Sequence, residues 1–158
     1  MMLFARRGEL MFAQFDEFEA GVVAGLALQV AQLVEQRPDY DPAVQRLLPD
    51  AYRDDPEAQA EYRTMTETDL ASRKVANARL IAAALAPGEW PREVELDEGG
   101  AMRWMRSLTD IRLVLASRIG IKDDGEAQDD ASETGLALRE AYDVLGALQE
   151  SLVRAVDG

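Results

Sequence analysis

The chain has 158 residues, 47% of them hydrophobic and 30% charged, a composition suited to one globular domain that buries about two-thirds of its unfolded surface. The 30 acidic residues outnumber the 17 basic ones and leave a net charge of −13, a field that repels phosphate backbones and anionic lipid surfaces. Cysteine and histidine are both absent, which excludes disulfides, thiolate or imidazole metal sites, Ser-His-Asp and Cys-His catalysis and a histidine general base.

The chain order begins with a short hairpin. Leu3 to Arg6 and Glu9 to Phe12 flank Arg7-Gly8 and are expected to pair around a glycine-containing turn. Asp16, with Glu19 three residues on, has the form of a helix N-cap and capping box. Behind it Phe15, Phe18, Val22, Leu26, Val30 and Leu33 recur at helical spacing, which predicts a long helix to about Gln36 buried along that stripe. Gly21, Ala24, Gly25 and Ala27 thin one side of this helix, where another element is expected to approach closely or a homodimer to form.

Arg37 to Pro42 is turn-rich, and a short helix over Ala43 to Leu48 should stop before Pro49. Asp54-Asp55-Pro56-Glu57 is a helix start, with a capping Asp, proline in the first turn and acids at the positive end of the dipole. That helix carries Ala58, Tyr62 and Met65. Thr66 with Asp69 predicts a fresh cap and a change of direction into a helix ending near Ala86. Pro87 to Pro91 forces a loop, and Arg92 to Leu96 alternates as a brief strand does. Asp97 should cap a long helix reaching Gly120, Lys122 to Glu133 reads as a solvated acidic loop, and a last helix runs from Thr134 to about Val156. The fold class is therefore mainly α: a helical bundle of about five to six helices with a short N-terminal β-hairpin and at most one further short strand. Residues 1–158 form a single domain, with a flexible acidic loop at about 122–133.

The acidic loop does not make a calcium site. Gly125 follows Asp123 by two residues, so the EF-hand register of ligands and glycine fails. GxxxxGK[ST], GxGxxG and GxSxG are all missing, so nothing asks for a nucleotide or an acyl intermediate. The opening MMLFARRGELMF lacks the apolar core and cleavage site of a signal peptide. Ala20 to Val34, broken by Gln29 and Gln32, is short for a bilayer span. These features lead to the expectation of a cytoplasmic protein that is not an enzyme, with no cofactor, metal or membrane partner.

Polar residues inside apolar stripes are the remaining clue. At about 100° per residue, Lys74 and Asn77 share a helix face with Leu70, Ile81 and Leu85, and Arg112 falls among Met105, Leu108, Leu115 and Ile119. A buried cation costs several kcal/mol unless paired and hydrogen-bonded. Either these faces meet in an internal network with Asp69, Asp110 or Asp143, or they form the polar floor of a small-molecule or anion site. Arg103, Arg106, Arg112 and Arg118 form the densest basic cluster, with Trp104 among them and only Asp110 opposing. Arginine beside an aromatic suits phosphate contact and base stacking. The helical phase disfavours it, since Arg103 and Arg106 share the outer face while Arg112 turns inward and Trp104 lies on the apolar flank.

Leu47 to Leu85 (LLPDAYRDDPEAQAEYRTMTETDLASRKVANARLIAAAL), Trp104 to Ile121 (WMRSLTDIRLVLASRIGI) and Ala141 to Val153 (AYDVLGALQESLV) resemble an actinobacterial family, the domain of unknown function 2017, which includes AosR-type oxidative-stress regulators. LLPDAY with the acidic-proline helix start, together with LTDIRL, is the most specific part. The resemblance implies no catalytic residues. It implies a regulatory, protein-interacting or transcriptional role in redox adaptation, with a protein partner such as a component of the transcription machinery. Sensing through thiols would need cysteine, and this chain has none. The expected function is a regulatory protein-interaction domain, working through its first helix and its Arg-rich fifth segment. The alternative is an anion-binding module built on Lys74, Asn77 and Arg112.

Overall fold

The computed structural model describes residues 2–49, 54–62, 66–120 and 132–158. Two strands, β1 (Met2–Arg7) and β2 (Leu10–Phe15), precede helices α1 (Glu17–Gln36), α2 (Pro42–Leu47), α3 (Pro56–Tyr62) and α4 (Thr68–Ala84). Strand β3 (Arg92–Leu96) and helices α5 (Glu98–Ile119) and α6 (Glu133–Asp157) complete the described chain. The expected mainly-α class, the N-terminal hairpin and the extra strand are all present.

The strands form one antiparallel sheet in the order β1-β2-β3, which places the third strand, some 80 residues later in sequence, beside the hairpin. Arg7 pairs with Leu10, so the hairpin turn is Gly8-Glu9, one residue later than the spacing predicts. The reason is local: Gly8 sits at φ 64°, and glycine leads a two-residue turn of this kind because it has no Cβ to clash. Met11, Ala13 and Phe15 of β2 and Val94 and Leu96 of β3 point to the core. The opposite face is wet. There Arg7 lies over the Phe12 ring at 3.8 Å and reaches Glu93 at 3.0 Å.

Capping signals mark the helix boundaries. Asp16 accepts from the Glu19 N–H at 2.8 Å while the Glu19 side chain accepts from the Asp16 N–H at 2.9 Å, closing the predicted box. Asp97 accepts from Gly100 at 2.7 Å to start α5, and Gly120 ends it at φ 75°. Ser132 caps α6, which begins one residue before the predicted Thr134. Most of the acidic loop lies outside the described residues, as does Met65. The entry to α4 departs from expectation. Instead of a Thr66 cap, a π-type turn at 66–67 leads into the helix, and Glu67 is drawn inside, 3.6 Å from Arg37. Arg37 itself ends α1 at φ 45°, a left-handed position that costs a non-glycine residue about 1 kcal/mol or more.

Helix α5 is the hub, packing on α6, α4, α2 and α1 and on β2 and β3. Its Trp104, Leu108, Ile111 and Leu115 are buried, and Trp104 meets Phe4 edge-to-face with centroids 5.6 Å apart. Helix α6 binds the free side of β1. Phe4 N–H donates to Ser151 Oγ at 3.1 Å, and Arg6 donates to the Val156 carbonyl at 3.0 Å, favourable at a helix C-terminus.

The first helix buries a different face from the one predicted. Ala20, Val23, Ala27, Val30, Ala31 and Val34 are inside, and α1 packs most extensively on α4, whose own buried residues include Ala71, Val75, Ala78 and Ile81. Of the predicted stripe Phe15 and Val30 are buried, Leu26 and Leu33 are half-buried, and Phe18 and Val22 are exposed. Gly21 and Gly25 do not make the close approach either, since a Cβ at each would meet nothing within 4 Å. The reason is that both sides of α1 are apolar, and short Ala and Val side chains let helix axes come closer than Phe and Leu do.

Candidate functional site

The polar residues singled out in the sequence are distributed over several helix interfaces. Lys74 Nζ on α4 donates to Asp110 Oδ1 on α5 at 2.7 Å, with side-chain exposures of 18% and 4%. Burial raises the Asp110 pKa above the usual carboxylate value, and the ammonium of Lys74 opposes that rise. Asp69 and Asp143, the other partners considered, are exposed. Asn77, nearly enclosed, accepts from Arg103 Nε at 2.8 Å, so Arg103 turns toward α4 and does not share the outer face with Arg106, which is exposed.

Arg112 works on the other side of α5. Its Nη1 donates to Gln149 Oε1 at 3.0 Å, and its guanidinium lies 4.6 Å from the centre of the Tyr142 ring. Gly146 makes the room: a Cβ there would stand 3.1 Å from Arg112 Nη2. Gln149 also donates to the Met105 carbonyl at 2.9 Å, which ties α6 to α5. Tyr142, Gly146 and Gln149 were not singled out as site residues. Their i, i+4, i+7 spacing on one helix stripe is the signal that could have found them.

Arg118 forms a fork with Asp41, 2.7 and 2.8 Å from its two oxygens, and Asp41 also caps α2 through the Ala43 N–H. The Arg118 hydrogen bond lowers the Asp41 pKa, and Asp41 in turn raises that of Arg118. The α5 arginines therefore part company: Arg103 serves α4, Arg112 serves α6, Arg118 serves the start of α2, and Arg106 faces water. Trp104 is fully buried against Phe4 and Phe15, so its ring is closed to a nucleic-acid base. Lys74, Asn77 and Arg112 already spend donors and acceptors on internal partners, on two different sides of α5. Among the described residues no group of three or more acidic side chains is placed to hold a metal ion.

The open apolar surface lies elsewhere. Helices α1 and α6 both pack on α5 but scarcely on each other. Between them runs a groove of about 380 Å³ lined by Phe18, Val22, Leu26, Ala141, Val144 and Leu145, with Glu19 and Glu140 at its edges. Phe18 is 79% exposed and Val144 43%. Isolated exposed apolar residues need no explanation; here several share one groove, with Glu19 and Glu140 among its lining. The two-sided apolarity of α1 also explains its mean hydropathy of 1.3, which by length and composition alone would suffice to cross a membrane. Here the helix is a wall of the core on one side and of the groove on the other.

In comparisons with known proteins, a family model described as a domain of unknown function (DUF2017) matches residues 1–156. No curated protein and no solved structure matches the chain.

Proposed function

From the premise that the chain belongs to the DUF2017 family along residues 1–156, we propose that it is a cytoplasmic, non-enzymatic regulatory domain that works by holding a protein partner in the α1–α6 groove. The observation that carries this reading is Phe18, a large aromatic side chain 79% exposed at the mouth of an otherwise continuous apolar lining. Aromatic residues are the commonest anchors of protein interfaces, and water contact with such a ring is a standing cost that a partner removes. The resemblance to AosR-type regulators supports placing that partner in the transcription machinery, in a response to oxidative stress. Without cysteine the control cannot be the chain's own thiol chemistry. A net charge of −13 disfavours direct contact with DNA and favours action through another protein.

Partner capture from the native cytoplasm, run in parallel on the natural chain and on Phe18→Asp, tests the reading. Phe18 lies in the first turn of α1 and is exposed, so an acid there is expected to leave the melting temperature unchanged. The natural chain should retain a partner that the variant loses. Identical capture by both would remove the groove from consideration.

A further inference from the structure

We infer that the occupant of the α1–α6 groove is a basic amphipathic α-helix of the partner protein. This rests on the reading of the groove as the working surface and names the chemistry it selects.

The shape of the groove comes first. Its walls are two helices that dock on α5 and scarcely pack on each other. Such a seam accepts the ridge of a third helix, at the 8–10 Å axial spacing of ordinary helix pairs. Phe18, Val22, Leu26, Ala141 and Val144 then require of the ligand an apolar stripe at i, i+3 or i+4, and i+7.

Charge selects the rest of the ligand. Among the described residues lining the groove, the two charged ones are Glu19 and Glu140. Glu17 and Glu133, in the first turns of α1 and α6, add to the same sign. A second copy of this chain would bring identical carboxylates together on top of −13 per molecule, a repulsion that apolar contact must overcome. A helix with lysine or arginine flanking its apolar stripe converts that repulsion into attraction and is steered to the site.

The test uses the full chain and two fluorescently labelled synthetic peptides of about five helical turns. Both carry leucine at i, i+3, i+4 and i+7, one with lysine and the other with glutamate at the flanking positions. Anisotropy should detect the lysine peptide with an affinity that falls as salt rises, and the glutamate peptide at least about tenfold more weakly. Glu140→Lys should weaken the lysine peptide about fivefold, the scale of reversing one exposed charge. Glu9→Lys, the same change on the distant hairpin turn, should not. Val144→Asp should abolish binding.

Each other outcome has a defined meaning. Equal binding of both peptides, lost in Val144→Asp, overturns the basic class and leaves the groove reading standing. Lysine-peptide binding that survives Val144→Asp overturns both. Equal weakening by Glu9→Lys and Glu140→Lys reduces the attraction to net charge and overturns the inference. A failure of the lysine peptide to bind overturns it too, and a dimer in light scattering that Val144→Asp dissociates would then make a second copy the occupant.

Discussion

Replacing Lys74 by methionine leaves the Asp110 carboxylate, 4% exposed, without its 2.7 Å partner. Breaking a buried pair from one side costs about 3–5 kcal/mol, because the remaining charge is desolvated with nothing to offset it. For a domain of this size that corresponds to a fall in melting temperature of about 10 °C. Asp110→Leu should cost less, since the Lys74 side chain is 18% exposed and its flexible stem can carry the ammonium to water. The double variant Lys74→Met/Asp110→Leu removes both charges and fills the space with apolar atoms, so its stability should return to within about 1 kcal/mol of the natural chain. Thermal melts of the four proteins form a double-mutant cycle. The pH dependence gives a second readout. Burial holds the folded Asp110 pKa above the ordinary 3.8. Between the two values the native state therefore binds more protons than the unfolded chain, and this group's contribution to stability falls as pH rises. Without Lys74 the rise is larger, so the deficit of Lys74→Met should be greatest at neutral pH and shrink on acidification toward pH 3.8. Single-variant costs that simply add in the double variant, or a deficit independent of pH, would refute a coupled buried pair.

Trp104→Ala should cost about 3–5 kcal/mol and be the most damaging single change to the core, since the indole is fully buried against Phe4 and Phe15; urea titration measures it. Gly146→Ala should stabilise by about 1 kcal/mol in an Arg112→Ala background but not in the natural chain. There the new Cβ meets a guanidinium held by Gln149 and Tyr142, and melts of the two pairs compare the cases. Asp41→Asn keeps the cap on Ala43 and removes only the charge facing Arg118. Because the folded Asp41 pKa lies below 3.8, its contribution is present above that pH and lost as pH falls through the folded value, so natural and variant melts should converge in acid. High salt should narrow their difference at neutral pH, since Arg118 is 40% exposed. Asp16→Ala should cost about 1 kcal/mol, read as a small drop in melting temperature, by opening the capping box of α1.

The candidate site was legible in the sequence only as far as local contacts define it. Lys74, Asn77 and Arg112 were legible as misplaced polar residues, because a helical stripe can be phased from its own residues. Their partners were not all legible: Asp110 was one of three acids considered, and Gln149, Tyr142 and Gly146 lie on a helix whose packing against α5 no local pattern states. The groove itself was hidden, because Phe18 and Val22 read as core.

What the sequence alone determined, apart from the entry to α4 and within about a residue elsewhere, is where the main elements begin and end. Asp16 with Glu19, Asp55 before Pro56, Asp97, Gly8 and Gly120 act on backbone groups within a few residues, so their effect does not depend on the rest of the fold. Tertiary structure alone decided which side of α1 faces inward. Periodicity ranks faces by contrast between apolar and polar, and α1 has apolar residues on both sides. Packing against α4 selected the Ala and Val side, where the helices approach most closely, and left Phe18, Val22 and half of Leu26 to line the groove. The same step sent three arginines of α5 to three different neighbours and left Arg106 facing water, because Arg103, Arg112 and Arg118 each met the acceptor that the adjacent element offered.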